Sequence, residues 1–317
     1  MKAQRRSILQ SLVAAALLSA VSLTGAQAAD GGKPRVALIM KSLANEFFQT
    51  MQDGATAYQK EHAAEFSLIA NGIKDETDTS AQIKIVQQMM VERVDAIVIA
   101  PADSKALVPV LKDAVDKGII VVNIDNKLDP AALKEKNLTV PFVGPDNRKG
   151  AKLVGDELAK HLKAGDKVGI IEGVSTTTNA QQRTAGFQDA MKAAGAVVVG
   201  VQSGQWEMDK GNTVASAMLR EHPDLKALLC GNDNMALGAV AAVKSAGKSG
   251  KVMVVGYDNI SAIKPMLADG RVLATADQFA AKQAVFGIET ALKALKDKTL
   301  QKDLPAEVQT PVELVTK

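Results

Sequence analysis

The chain has 317 residues, 47% of them hydrophobic, with 38 basic and 35 acidic side chains and a formal net charge of +3. That balance gives no sign of the concentrated basic face that nucleic-acid binding requires, and the single cysteine, Cys230, excludes an intramolecular disulfide. His62, His161 and His222 stand apart in polar helical contexts; they show no metal-ligand spacing, solvated helix ends are their expected places, and no cofactor is implied.

The chain opens like an export leader. Lys2, Arg5 and Arg6 form a basic region, residues 8–23 are mainly apolar, and Ala26-Gln27-Ala28 has the small-x-small form of a signal-peptidase site. A membrane-spanning helix needs about 20 apolar residues. This run is shorter and is interrupted by Ser19 and Ser22. Export with cleavage after Ala28 is expected, and no Cys follows to carry a lipid. The leader takes three basic residues and no acid with it, so the remainder is near neutral. About 289 residues remain, enough for one large core or two ordinary ones.

Beyond the leader, two patterns alternate. Short β-branched or aliphatic runs predict strands over 36–40, 67–70, 96–100, 119–124, 168–171, 197–201, 227–230, 252–255 and 272–276. Segments with helical apolar spacing predict helices over 47–62, 80–92, 104–117, 149–162, 181–194, 211–221 and 235–246. Gly118 and Gly195 stand just after helical runs, where a left-handed cap is wanted. Such alternation implies parallel sheets covered on both faces. There are too many strands for one small doubly wound sheet, and a break falls near residues 139–144, after a polar connector over 129–137. The expectation is an α/β chain of two lobes.

Polar and aromatic residues cluster where predicted strands meet helices. In chain order they are Asn45-Glu46-Phe47-Phe48, Asp125-Asn126, Arg183, Trp206, Asn232-Asp233, Asp258 and Gln278. In open α/β sheets, ligands bind outside the carboxyl ends of the strands. Carboxylates, amides and the Arg fork present hydrogen-bonding groups in fixed directions, and flat rings stack on the C–H faces of a sugar. If the clusters converge, they suit a polyhydroxylated ligand. Each residue also has a plainer reading. One of Phe47 and Phe48 belongs to the core, Asp125 could cap a turn, Asp233 could cap the next helix, Arg183 could lie on a solvated face, and Trp206, the only Trp, sits in a polar loop. No phosphate-binding glycine loop and no nucleophile elbow is present. A carboxylate pair for glycoside hydrolysis, Asp125 with Asp258, stays open as an alternative.

The motifs Leu43-Ala44-Asn45-Glu46-Phe47-Phe48, Val122-Asn123-Ile124-Asp125, Arg183-Thr184-Ala185-Gly186-Phe187, Gly231-Asn232-Asp233-Asn234-Met235-Ala236-Leu237-Gly238, Val254-Val255-Gly256-Tyr257-Asp258 and Ala276-Asp277-Gln278 together resemble the periplasmic monosaccharide-binding proteins of ABC transporters. The likeness is to the ribose-, allose- and galactose-binding branch of the type I fold, and it runs over the whole chain beyond the leader. It implies two similar doubly wound parallel-sheet lobes, 29–145 with 279–306 and 146–278 with 307–317. A multi-strand hinge would join them, with the ligand cleft between. By the same resemblance Asn45, Asp125, Asn126, Arg183, Asn232, Asp258 and Gln278 hydrogen-bond the ligand, Phe47 or Phe48 and Trp206 stack on it, and Lys41 matches a ligand-contacting lysine of the allose-binding type. No residue is catalytic in this reading. The implied partners are a monosaccharide or polyol, a membrane permease and, in a sensor reading, a chemoreceptor; a monomer is expected. Repressors that share the fold carry an N-terminal helix-turn-helix where this chain has its leader.

Three positions depart from the ribose pattern. Asn126 stands where ribose binders carry Arg, Ala100 where they carry Asn before the Pro, and Glu46 where they carry Pro. Residues 123–129 look more allose-like. A pentose, a hexose such as allose and a sugar alcohol all remain open.

Overall fold

The aliphatic runs form strands buried on both faces, as a parallel sheet sandwiched by helices demands. The computed structural model describes residues 32–317, and the leader expected over 1–28 lies outside them. The first nine elements alternate strictly: β1 (Arg35–Ser42), α1 (Glu46–Glu61), β2 (Ser67–Ile73), α2 (Thr79–Val91), β3 (Ala96–Ile99), α3 (Val108–Asp116), β4 (Ile120–Ile124), α4 (Pro130–Glu135) and β5 (Phe142–Pro145). The alternation resumes with α5 (Asn147–Ala159), β6 (Lys167–Glu172), α6 (Thr178–Ala193), β7 (Val197–Ser203), α7 (Met208–Glu221), β8 (Ala227–Cys230), α8 (Asp233–Ser245), β9 (Met253–Val255), α9 (Lys264–Ala268) and β10 (Thr275–Asp277). A long helix, α10 (Ala280–Asp297), and two short strands, β11 (Glu307–Thr310) and β12 (Glu313–Val315), complete the chain.

The strands form a six-stranded sheet in the order β11-β5-β4-β3-β1-β2 and a four-stranded sheet in the order β7-β6-β8-β9. Every pairing within these two sheets is parallel. Each sheet therefore places its earliest strand between its second and third, and the switch points fall at β1/β3 and β6/β8. These are the places where a doubly wound sheet opens a crevice at its carboxyl edge.

Period-two alternation in β1 supplies both faces of the first core. Val36, Leu38 and Met40 pack with Val98, Ile124 and Ile288, while Ala37 and Ile39 pack with Ile97, Ile99, Leu111 and Val121. In the second sheet Val168, Ile170 and Leu229 pack with Phe187 and Met191. Each fully buried aliphatic side chain contributes about 1.5–3 kcal/mol. Cys230 is buried in β8. His62 and His222 form the C-terminal caps of α1 and α7, and His161 follows α5.

Some bounds differ from the sequence reading. The helix expected over 104–117 begins only at Val108, because Asp103 ties the amides of Lys105 and Ala106 into a preceding turn. The segment 129–137, read as a polar connector, contains α4, started by Asp129 capping Ala132 N with a proline in the first turn. The strand expected over 272–276 is confined to Thr275–Asp277.

The chain passes between the two sheets three times: from β5 to α5, from β10 to α10, which packs on α1, β3 and β4, and from β11 to β12. Residues 307–317 were expected with the second lobe, and the strand pairing divides them. Glu307–Thr310 add to the free edge of β5, and only Glu313–Val315 pair with β10. Gln301 is the physical reason. Its side chain accepts from Val121 N at 2.8 Å and donates to the carbonyls of Val121 and Thr139 at 2.9 Å, which delivers the chain to that edge.

Candidate functional site

Residues from both sheets line one cavity. Its first wall is built at the carboxyl edge of the six-stranded sheet. Lys41, near the end of β1, holds its ammonium 3.4 Å from Glu76 Oε2 and 3.4 Å from Asp125 Oδ2. Asn45 is the N-cap of α1: its Oδ1 accepts from Phe47 N at 3.0 Å, and its Nδ2 donates to Glu76 Oε1 at 3.1 Å. Phe47 and Phe48 meet edge to face, with ring centroids 5.1 Å apart. Asp125 turns into the cavity through a left-handed backbone, φ 58°. Non-glycine residues adopt that region at a cost, typically at functional sites.

The second wall comes from the four-stranded sheet. Arg183, on α6, donates from Nε to Asn147 Oδ1 at 2.8 Å and from Nη1 to the Gly231 carbonyl at 2.9 Å. Its guanidinium lies 3.7 Å from the Tyr257 ring centroid. Asn232 is the N-cap of α8, accepting from Met235 N at 2.9 Å and donating to the Trp206 carbonyl at 3.2 Å. Trp206 and Asp258 also have positive φ, 68° and 119°. A Cβ at Gly173 would overlap the Trp206 indole, so the ring's seat depends on that glycine. Gln278 donates from Nε2 to Asp258 Oδ1 at 2.6 Å.

Four buried polar atoms on these walls make no hydrogen bond within the protein: Glu76 Oε2 and Asp125 Oδ2, whose one charged contact is the Lys41 ammonium at 3.4 Å, and Arg183 Nη2 and Trp206 Nε1. Two accept and two donate. Leaving such groups unsatisfied costs about 1–3 kcal/mol each, and more when they are charged. Hydroxyl groups, which both donate and accept, would satisfy acceptors and donors alike.

Burial dominates the ionisation. For Lys41 burial works against the charge, but Glu76 and Asp125 outweigh it and hold the ammonium above its ordinary range. Burial raises Glu76, with Lys41 and Asn45 opposing. Burial pushes Asp258 up to about 7; Asp125 adds to the shift, and Arg183, Gln278 and Lys41 oppose it.

Ten of the eleven residues singled out in the sequence line this cavity: Lys41, Asn45, Phe47, Phe48, Asp125, Arg183, Trp206, Asn232, Asp258 and Gln278. Both phenylalanines line it, although one was assigned to the core. Trp206 is buried, and the helix cap that Asp233 could have made is made by Asn232. Asp233 instead accepts from Ile260 N and Thr275 Oγ1. Asn126 is not a lining residue. It is fully buried behind Asp125, donates to the Pro101 carbonyl at 2.9 Å, and accepts from Ser104 Oγ and Asn179 N. Glu76 and Asn179 line the cavity without having been singled out. The strand-end rule, applied to β2, would have pointed to Glu76. Among the described residues no group of three or more His, Cys, Asp or Glu side chains is placed to hold a metal ion.

A two-lobed α/β chain with a polar, aromatic-lined cavity between its parallel sheets has the design of a protein that encloses a small ligand. The chain belongs to the periplasmic binding protein domain family, which it matches over residues 36–299. It is 70% identical over 311 residues to the D-ribose/D-allose-binding protein of Pseudomonas aeruginosa, covering 98% of each chain. An ABC transporter solute-binding protein from Burkholderia multivorans, solved with an unknown ligand described as α-D-erythrofuranose, superposes with a TM-score of 0.89 at 76% identity, covering 90% of this chain and 100% of that one. A periplasmic solute-binding protein of an ABC transporter from Actinobacillus succinogenes, solved with D-allose, gives a TM-score of 0.82 at 33% identity, covering 90% and 98%.

Proposed function

We propose that this protein is the periplasmic solute-binding component of an ABC sugar importer, that it encloses one monosaccharide, D-ribose or D-allose, between its lobes, and that it delivers the sugar to a membrane permease. The observation that carries this reading is the set of buried atoms without a hydrogen bond on residues that line one cavity, acceptors Glu76 Oε2 and Asp125 Oδ2, which contact only the Lys41 ammonium, with donors Arg183 Nη2 and Trp206 Nε1. Sugar hydroxyls complete both kinds, and the rings of Phe47, Phe48 and Trp206 take the C–H faces. The names of the relatives support the same ligand class. In this reading Lys41, Asn45, Asp125, Arg183, Asn232, Asp258 and Gln278 fix the hydroxyl pattern. The lobes divide at the three crossings, near residues 145, 278 and 311.

Binding at both walls favours the closed arrangement through contacts that an open cleft lacks, and the permease reads the closed shape. No bond is made or broken. Isothermal titration calorimetry with D-ribose, D-allose, D-arabinose and myo-inositol tests the reading. Saturable one-to-one binding of D-ribose or D-allose, with the sugar recovered chemically intact, is expected. Failure of every compound to bind would sink the monosaccharide assignment, and a cleaved glycoside would revive the carboxylate-pair alternative.

A further inference from the structure

The helix α6, which carries Asn179 and Arg183 into the cavity, is not capped by its own lobe. Its N-cap residue Thr177 makes no side-chain cap bond, and its hydroxyl donates to the Val174 carbonyl instead. The acceptors come from loops of the first sheet: Thr178 N donates to Ser104 Oγ at 2.9 Å, and Asn179 N donates to Asn126 Oδ1 at 3.2 Å. Ser104 and Asn126 are both buried, and Ser104 Oγ donates to Asn126 Oδ1 at 3.3 Å.

A second contact of the same kind lies elsewhere on the cleft. The turn Ser261–Ile263 has no side-chain cap of its own. Glu46, at the start of α1, accepts from Ser261 N at 2.6 Å and from Ala262 N at 3.2 Å. Glu46 and Asn126 are two of the positions where the sequence departs from the ribose pattern, and both departures supply these acceptors.

We propose that Ser104, Asn126 and Glu46 are positioning residues that latch the closed state by capping helix starts of the opposite lobe. The inference rests on the sugar-binding reading for its effect on ligand. Once the lobes part, these amides have only water for a partner. The caps therefore form only on closure, and the cap on α6 seats Arg183 and Asn179 at the same step. Asp125 and Asn126 divide the work between them. The left-handed backbone at Asp125 aims one side chain at the ligand and leaves the next for α6.

The test uses the full chain without its leader. Spin labels at Lys74→Cys and Asp209→Cys, both exposed at the cleft mouth, report the lobe separation in the ligand-free protein. Stopped-flow dissociation of D-ribose and D-allose reports the latch in the complex. Ser104→Ala and Glu46→Ala are each expected to shift the ligand-free distances to longer values. Each should also raise the dissociation rate roughly fivefold, the worth of one cap, and change association less than about twofold, because affinity differences within one interface lie mostly in dissociation. The ligand-free Tm of Glu46→Ala should change little, because in a mostly open ensemble only the minor closed population makes the cap, and Glu46→Gln, which keeps one carbonyl acceptor, should stay close to the parent protein in both distance and dissociation. Unchanged distances and dissociation overturn the proposal, as does an equal loss of ligand-free Tm, which would mark a merely structural role. If the parent protein binds neither sugar, the functional reading fails, and the distance distributions alone decide the latch.

Discussion

The guanidinium carbon of Arg183 lies over the Tyr257 ring, 3.7 Å from its centroid. With Nε on Asn147 and Nη1 on the Gly231 carbonyl, the fork is held so that only Nη2 is free for the cavity. A lysine cannot reproduce a planar, stacked, three-point anchor. Arg183→Lys should weaken sugar binding about 10- to 100-fold, the range of a lost hydrogen bond to a charged group. Calorimetry measures it, and an unchanged Kd would remove Arg183 from the site.

Among the described residues, Lys41 is the only cation within ion-pair distance of Glu76 and Asp125. Lys41→Met leaves two buried carboxylates to face each other on closure. Breaking a buried ion pair from one side costs about 3–5 kcal/mol, so affinity at pH 8 should fall by 100-fold or more. Burial already raises Glu76; its protonation relieves the repulsion, and the variant's affinity should therefore recover as pH falls towards 5. A pH-independent Kd in the variant would contradict this account.

Asp258 is raised to about 7 in the folded protein, above its unfolded value near 3.9. Between these values the native state binds more protons than the unfolded one. Stability should therefore fall as pH rises from about 4 to about 7 and level off above, with this group contributing at most about 1.4 kcal/mol per pH unit. Glu76 and Asp233, also raised by burial, slope the same way. Urea denaturation of the parent protein and Asp258→Asn at pH 5 and pH 8 should show a shallower dependence in the variant. Parallel curves would mean that Asp258 titrates normally.

Trp206 is the only tryptophan, and it lines the cavity. Its fluorescence should change on sugar binding, and Trp206→Phe should abolish the signal. Gly173→Ala, whose new Cβ would overlap the indole, should displace the ring and weaken binding while Phe47 and Phe48 keep their places. A Gly173→Ala variant with the parent's emission spectrum and affinity would show that the indole's position is not set there.

The strand ends were legible in the sequence because parallel strands buried on both faces read as continuous aliphatic runs, and the rule that ligands bind outside the carboxyl ends of the strands then told which loops mattered. That was enough to mark Asn45, Asp125, Asn232, Asp258 and Gln278, all of which line the cavity, whereas Lys41 entered only through the family resemblance. Glu76 escaped because it sits in Lys74-Asp75-Glu76-Thr77-Asp78, a charge run that reads as solvated; only Lys41 and Asn45, distant in sequence, make it a buried residue. Asn126 was misplaced because its direction depends on the positive φ of Asp125, which an aspartate does not announce as a glycine would. β11 and β12 are short and partly polar, so they carry no periodic signal, and their pairing is decided by Gln301 and the free edge of β5.

The three passages between the sheets also have a mechanical meaning. A single tether lets two bodies swivel and drift, and a pair still permits twist. Three neighbouring strands fix an axis, so the motion left to the halves is a swing about it. Ligand binding then works against one angular coordinate, the swing that brings the two walls of the cavity together.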